Sequence, residues 1–267
     1  MKEPLKGFIN MNHYINELEN ELGLSIEDKL DLPLENTDIT VHFRNLDKKL
    51  IEYISDADGV LGAVAWLNHE AILKELAKKE VVSIVVQKED PRKEPKISHA
   101  ESTKRLYKKL PEFKWQVCLE GIPMKLTIDE NSKKWDAIRC IGQCFNNNDK
   151  GYAKMHNKFL IFGNIDYIYE TDIDENLMKQ GYPESWCEVD VPIPILSPYA
   201  VWTGSFNMTN NALNSLENAL YITNKKIVFA YYEEWCKIFT FSETFNWKSE
   251  PLDFQGKGIK RELKIEE

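Results

Sequence analysis

Two short segments of the chain place side chains capable of acid–base and anion-binding chemistry at the ends of apolar runs. In Met155-His156-Asn157-Lys158-Phe159-Leu160-Ile161-Phe162, an imidazole and an ammonium stand two residues apart, the spacing that puts both on one face of a strand. In Val201-Trp202-Thr203-Gly204-Ser205-Phe206-Asn207, Ser205 and Asn207 share a face by the same count, and Gly204 leaves room for backbone or ligand to come close. An imidazole can attack an electrophile or pass a proton, while ammonium, amide and hydroxyl groups can hold anionic oxygens as charge develops. Composition alone would produce a His-x-Lys about 0.3 times and a Gly-Ser-x-Asn about 0.05 times in a chain of this length, so their joint occurrence at strand ends is the informative feature. Bland roles exist too: the Lys158 stem can lie along apolar surface, and Asn207 can cap a helix starting at Met208. His13, His42, His69 and His99 read as structural groups.

These segments need a scaffold, and the pattern of the chain supplies one. Leu46, Leu50, Tyr53 and Ile54 recur at helical spacing after a possible cap at Asn45, and residues 59–66 form an apolar run of strand length. Asn68 is the expected cap of a helix carrying Ile72, Leu73 and Leu76, and residues 81–86 form a second apolar strand. Further strands are expected at 135–141, 158–162, 200–206 and 219–223, with a helix near 210–217. A last helix from Asn224 carries Ile227, Val228, Tyr231, Trp235, Ile238 and Phe239 on its core side. Helices alternating with apolar strands predict an α/β fold whose mixed, mostly parallel sheet is covered on both faces.

His156-x-Lys158, followed by Gly204-Ser205-Phe206-Asn207 and Asn214-Ser215-Leu216-Glu217-Asn218, resembles the phospholipase D superfamily, in particular its small bacterial nuclease-like members with one motif per chain. The resemblance spans residues 41–241 and implies a sandwich around a central mixed sheet, with two chains pairing so that two histidines meet. It implies a phosphodiesterase without cofactor or metal, acting on DNA or RNA. His156 is then the nucleophile, the histidine of a second copy the proton donor, and Lys158, Asn207 and Ser205 the holders of the phosphate oxygens. Glu217 orients the histidine, and Gly204 lies in the substrate-binding segment. The family pattern has an aspartate five residues after the lysine, where this chain has Gly163; Asp166 serves instead only if the chain bends there. A helicase or ATPase partner in a defence system is a further implication of the resemblance. Two other functions are compatible with it: a binding or scaffold subunit that has lost turnover, and a lipid phosphodiesterase.

Composition sets the outer limits. The 267 residues are 43% hydrophobic and 29% charged, which excludes a linker or a disordered polymer. No apolar run approaches the roughly 18 residues of a membrane span and the N-terminus lacks a signal-peptide core, so a cytoplasmic protein without membrane contact is expected. Cys118, Cys140, Cys144, Cys187 and Cys236 are odd in number and scattered, as suits reduced core thiols; Cys140 and Cys144 have half of a zinc spacing with no second pair. The net charge of −9 is unevenly spread. Residues 1–40, expected as an acidic extension, carry −6, and residues 163–200 carry −7, leaving the rest at +4. The 163–200 segment is expected as an acidic insertion, a loop or small subdomain covering the site or docking a partner, and 242–267 as a polar tail. Residues 88–114 hold nine bases against five acids, a candidate phosphate-facing surface or a solvated helix.

Overall fold

Two strands buried on both faces organise the molecule. The computed structural model describes residues 38–88, 97–111, 115–118, 125–128, 135–142, 154–173, 175–181 and 188–245. Strands β2 (Gly59–Val64) and β3 (Val81–Gln87) are buried at every position, which is why they read as unbroken apolar runs. They lie inside one sheet with β1 (Ile39–His42), β6 (Ile138–Ile141), β7 (Lys158–Ile173), β8 (Glu188–Gly204), β9 (Ala219–Ile222) and β10 (Glu243–Thr244), in the order β1-β9-β8-β7-β2-β3-β6-β10. β4 (Trp115–Cys118) pairs with β5 (Lys125–Ile128), which touches β8 at Ile195.

The α/β sandwich with a central mixed sheet is as expected, but the pairing is not mostly parallel. Among the described strands only β2–β3 and β3–β6 run parallel; the other neighbours are antiparallel. The connections explain this. β2 and β3 are joined through a crossover helix, which a parallel pair requires, whereas β8 doubles back into β9 through residues 205–218, which stay at the same end of the sheet, where Gly204 pairs with Ala219.

Each face of the sheet has its own helical cover. On one side, α1 (Leu46–Asp56) and α2 (Glu70–Leu76) bury Leu50, Ile54, Ile72 and Leu76 against Val60, Val64, Leu160, Phe162 and Trp202. On the other, α5 (Lys225–Thr240) lays Val228, Trp235 and Phe239 on Leu61, Ala63, Phe159, Ile161 and Val201. Its cap is Asn224, whose side chain accepts from the backbone of Lys226 and Ile227. The cap of α2 is His69, not Asn68: Nδ1 of His69 accepts from the Ile72 amide at 3.4 Å. His42 is likewise structural, bonded to the Tyr53 hydroxyl at 3.1 Å and stacked on Trp202.

The acidic segment is the largest departure from expectation. It is neither a loop nor a separate unit: β7 and β8 themselves continue through it, paired from Gly163↔Pro198 to Ile173↔Glu188, and the short α4 (Glu175–Lys179) follows β7 at the far end. The ribbon also runs the wrong way to cover its own site. Lys158 opens β7, and eight residues of strand carry Asp166 about 26 Å further along.

At the opposite edge, β10 pairs with β6 beyond the expected boundary at 241. Arg139 donates to the hydroxyl and carbonyl of Ser242, and Lys88 pairs with Glu243 at 3.1 Å. Lys88 is therefore a buried structural cation and not part of a phosphate-facing surface. Cys140 and Cys236 are buried free thiols. The stripe of Leu18, Leu22 and Ile26, Cys144, Cys187 and residues 246–267 lie outside the described residues.

Candidate active site

The His156–Lys158 and Gly204–Asn207 segments lie at the same end of the sheet. Antiparallel pairing sets Lys158, the first residue of β7, beside Val64, the last of β2, and the Ala65 amide continues the ladder by donating to the Asn157 carbonyl at 2.8 Å. β8 ends on the other side of β7, where Phe159 faces Thr203 and Gly204 faces Ala219 of β9. His156 and the Ser205–Asn207 segment thus leave the sheet from the same end. The 65–69 loop ties the two together, since the amides of Asn68 and His69 both donate to the Met208 carbonyl, at 2.9 and 3.0 Å.

His156 lies just before β7, not within it, and is exposed. Two contacts hold it. The amide of its buried neighbour Met155 donates to Oε1 of Gln87 at 2.6 Å, and its ring meets the Trp66 indole edge-on at 5.4 Å. Lys158 folds back over it, with Nζ 3.2 and 3.3 Å from the two ring nitrogens and donating to the His156 carbonyl at 3.1 Å. Partial desolvation, then the charges of Lys158 and Lys154, lower the imidazole pKa below its ordinary value of 6.5, so the ring is neutral at neutral pH. Desolvation also lowers the pKa of Lys158, against the opposing charge of Glu217.

The remaining polar groups form a second cluster beside the first. The Ser205 hydroxyl donates to Oε2 of Glu217, and Ser205 Oγ accepts from the Asn218 amide at 3.1 Å. Glu217 is therefore bonded to Ser205 in this chain, and not to His156 as the resemblance implied. Asn207 does not cap the following 3-10 helix (Asn210–Asn214); Thr209 does. Oδ1 of Asn207 is instead buried with no hydrogen-bond partner, an acceptor left over in a site otherwise rich in donors.

Gly204 is required by backbone, not by a ligand. A Cβ there would run into the Asn218 carbonyl oxygen and come within 2.7 Å of the Ala219 Cα. Gly163 is constrained less severely: it sits at a register shift in β7, where a Cβ would lie 2.9 Å from Leu196 Cγ and 3.1 Å from the Ser197 carbonyl oxygen. An aspartate at that position would push on Leu196 and on the β8 backbone. Gly163→Asp is expected to lower stability by about 1–3 kcal/mol without raising turnover, as melting temperature and initial rate would report. Asp166, exposed and far along the ribbon, does not take its place at the site.

Gln87 and Trp66 escaped assignment from the sequence. Both end apolar runs of strand length, and a lone amide closing Val-Val-Ser-Ile-Val-Val is a usable signal, because a buried amide demands partners. Gln87 meets the demand with the Met155 amide and the Lys88 carbonyl.

Comparison with known proteins finds a similar sequence and several similar structures. No family model matches it. It is 32% identical over 235 residues to the uncharacterized protein L381 of Acanthamoeba polyphaga mimivirus, covering 82% of this chain and 71% of that one. Among solved structures, NucT from Helicobacter pylori aligns with a TM-score of 0.45 at 16% identity, over 78% of this chain and 98% of NucT. Nuc from Salmonella typhimurium, a phospholipase D family member, aligns with a TM-score of 0.41 at 14% identity, over 78% and 97% of the two chains.

Proposed function

We propose that this chain, which belongs to one family with the mimivirus protein L381, is a phosphodiesterase of the phospholipase D type that cleaves nucleic acid through a covalent phosphohistidine. The observation that carries this reading is the neutral, exposed imidazole of His156 with the Lys158 ammonium 3.2 Å away, at the sheet end from which the Ser205–Asn207 segment also leaves.

A diester anion repels hydroxide, and a neutral imidazole is the nucleophile that avoids this repulsion. A ring nitrogen of His156 forms a bond to phosphorus while the bond to the leaving oxygen breaks. The leaving oxygen takes a proton from the His156 ring of a second copy, which the bound diester anion beside it favours in its protonated form, so a single-motif chain would act as a homodimer. Water then attacks phosphorus, its proton passes to that same imidazole, and the P–N bond breaks. Lys158 leaves the ring to meet the non-bridging oxygens, the Asn207 amide nitrogen steadies them, and the Ser205 hydroxyl joins them once its proton turns from Glu217 to the phosphate. Before substrate arrives, Glu217 keeps Ser205 in place. No step calls for a metal ion, so cleavage in EDTA is the first test; loss of all cleavage in EDTA would reject the scheme.

The pH dependence gives a sharper test. With bis(p-nitrophenyl) phosphate the leaving group departs without a proton, so the rate follows the nucleophile alone. The rate is expected to fall only as pH drops through a value below 6.5, and Lys158→Gln, which removes a neighbouring charge, is expected to move that inflection upward. An inflection above 6.5 in the parent protein would contradict a depressed imidazole. No helix among the described residues is long and apolar enough to cross a membrane. The acidic β7–β8 ribbon projects from the other end of the sheet, a surface suited to a partner protein and not to gating of this chain's own site.

A further inference from the structure

Beside the candidate site, between α3 (Ile97–Tyr107), the loop after β2 and the 3-10 helix, lies a cavity of about 660 Å3, within the range of pockets that enclose a small ligand. Its wall begins where the site ends, because Trp66 lines the cavity and also sets its indole against His156 at an interplanar angle of 81°. Arg105 and Lys109, about one helical turn apart, bring two cations to the wall, and Asn210 and Asn211 bring two amides. The carboxylate on the same wall, Glu70, is engaged by Lys74 at 2.7 Å. An aromatic side chain, two cations and two amides match the parts of a nucleotide: a base to stack, a phosphate to neutralise and a base edge to bond.

We propose that this cavity is the subsite for one unpaired nucleotide adjoining the scissile phosphate, so that the substrate class is single-stranded nucleic acid; this rests on the reading of His156 as the reacting group. A paired base can enter a recess in the surface only after it leaves its stack, at a cost of a few kcal/mol. An unpaired strand pays much less, and Trp66 returns stacking energy to it.

Fluorescence anisotropy on the full chain tests this with a short labelled oligothymidylate and the corresponding duplex. The single strand is expected to bind at least about tenfold more tightly than the duplex. Arg105→Ser combined with Lys109→Ser should weaken single-strand binding about tenfold and reduce the slope of log Kd against log salt by about 1.4, two phosphate contacts' worth. Asn210→Ala with Asn211→Ala, a pair that leaves charge unaltered, should weaken it by a smaller factor. Hydrolysis of bis(p-nitrophenyl) phosphate should be unchanged in both double variants, which also reports that they fold. Unchanged binding and salt slope in both, or tighter binding of duplex, would overturn the proposal. Binding does not depend on turnover, so the two readings fail separately. Strand binding that needs Arg105 and Lys109 in a protein that cleaves no diester refutes the phosphodiesterase and leaves the subsite standing; diester cleavage with strand binding indifferent to all four residues does the reverse.

Discussion

His156→Ala is expected to reduce diester cleavage by on the order of 10^4-fold or more while leaving the fold intact. The side chain is exposed, so its removal opens no cavity; what holds the segment is the Met155 amide on Gln87 and the Asn157 carbonyl on Ala65, both main-chain bonds that survive the substitution. A residual rate would come from binding and from Lys158, Asn207 and Ser205 alone. Initial rates with bis(p-nitrophenyl) phosphate and a labelled strand, alongside a thermal melt, separate the outcomes. Undiminished cleavage by the variant would remove the imidazole from the mechanism. Lost cleavage with an unchanged melt, together with restored pH dependence only in the parent, places the chemistry on His156. Retained strand binding at this point would distinguish an inactive enzyme from a misfolded one.

The second large effect falls on a residue that touches no substrate. Gly204→Ala should lower stability by about 3 kcal/mol and the melting temperature by roughly 6–12 °C. The methyl would strike the Asn218 carbonyl and the Ala219 backbone, neither of which is the movable tip of a side chain. Relief requires β9 to shift away from β8, and the shift carries Asn218 and Glu217 away from Ser205, whose hydroxyl they hold. Activity should therefore fall with stability, even below the melting range. If Gly204 instead served only to admit a ligand, the variant would keep its melting temperature and raise KM alone; differential scanning calorimetry with a kcat and KM determination decides between these results.

Much of the site was legible because a strand has a period of two. That period picked out His156 with Lys158 and Ser205 with Asn207, although His156 precedes β7, Ser205 and Asn207 follow β8, and Lys158 reaches His156 by folding back over it. The apolar runs at 59–66 and 81–86 likewise announced the two central strands. Their pairing was less legible, since a strand buried on both faces reads the same in a parallel sheet and in the middle of a mixed one. Length misled at 163–200, where a long gap suggested a loop. Yet the gap carries its own alternation, Tyr169-Glu170-Thr171-Asp172-Ile173 against Glu188-Val189-Asp190-Val191-Pro192, and that is the pattern of a two-stranded ribbon. His69 and Asn68 are adjacent residues able to accept at a helix N-terminus, and only the exit angle of the loop after β2 selects between them. The roles of Gly204 and Gly163 were hidden for a deeper reason. What fills the space above a glycine is set by a strand distant in sequence, and no local pattern reports it. Glu217 shows the same limit: its place after the Gly-Ser-x-Asn segment suggested the histidine as partner, whereas the turn into β9 delivers it to Ser205.

The central claim is that phosphorus becomes bonded to His156 during turnover, and direct detection of that bond tests it. The protein would be mixed with a phosphate-labelled single strand, quenched within one turnover in alkaline denaturant, where a phosphohistidine survives, digested and analysed by mass spectrometry. The account predicts a nucleotidyl adduct on the peptide bearing His156, formed and lost at rates compatible with turnover and absent from His156→Ala. Full turnover with His156 unmodified at every time point would contradict it.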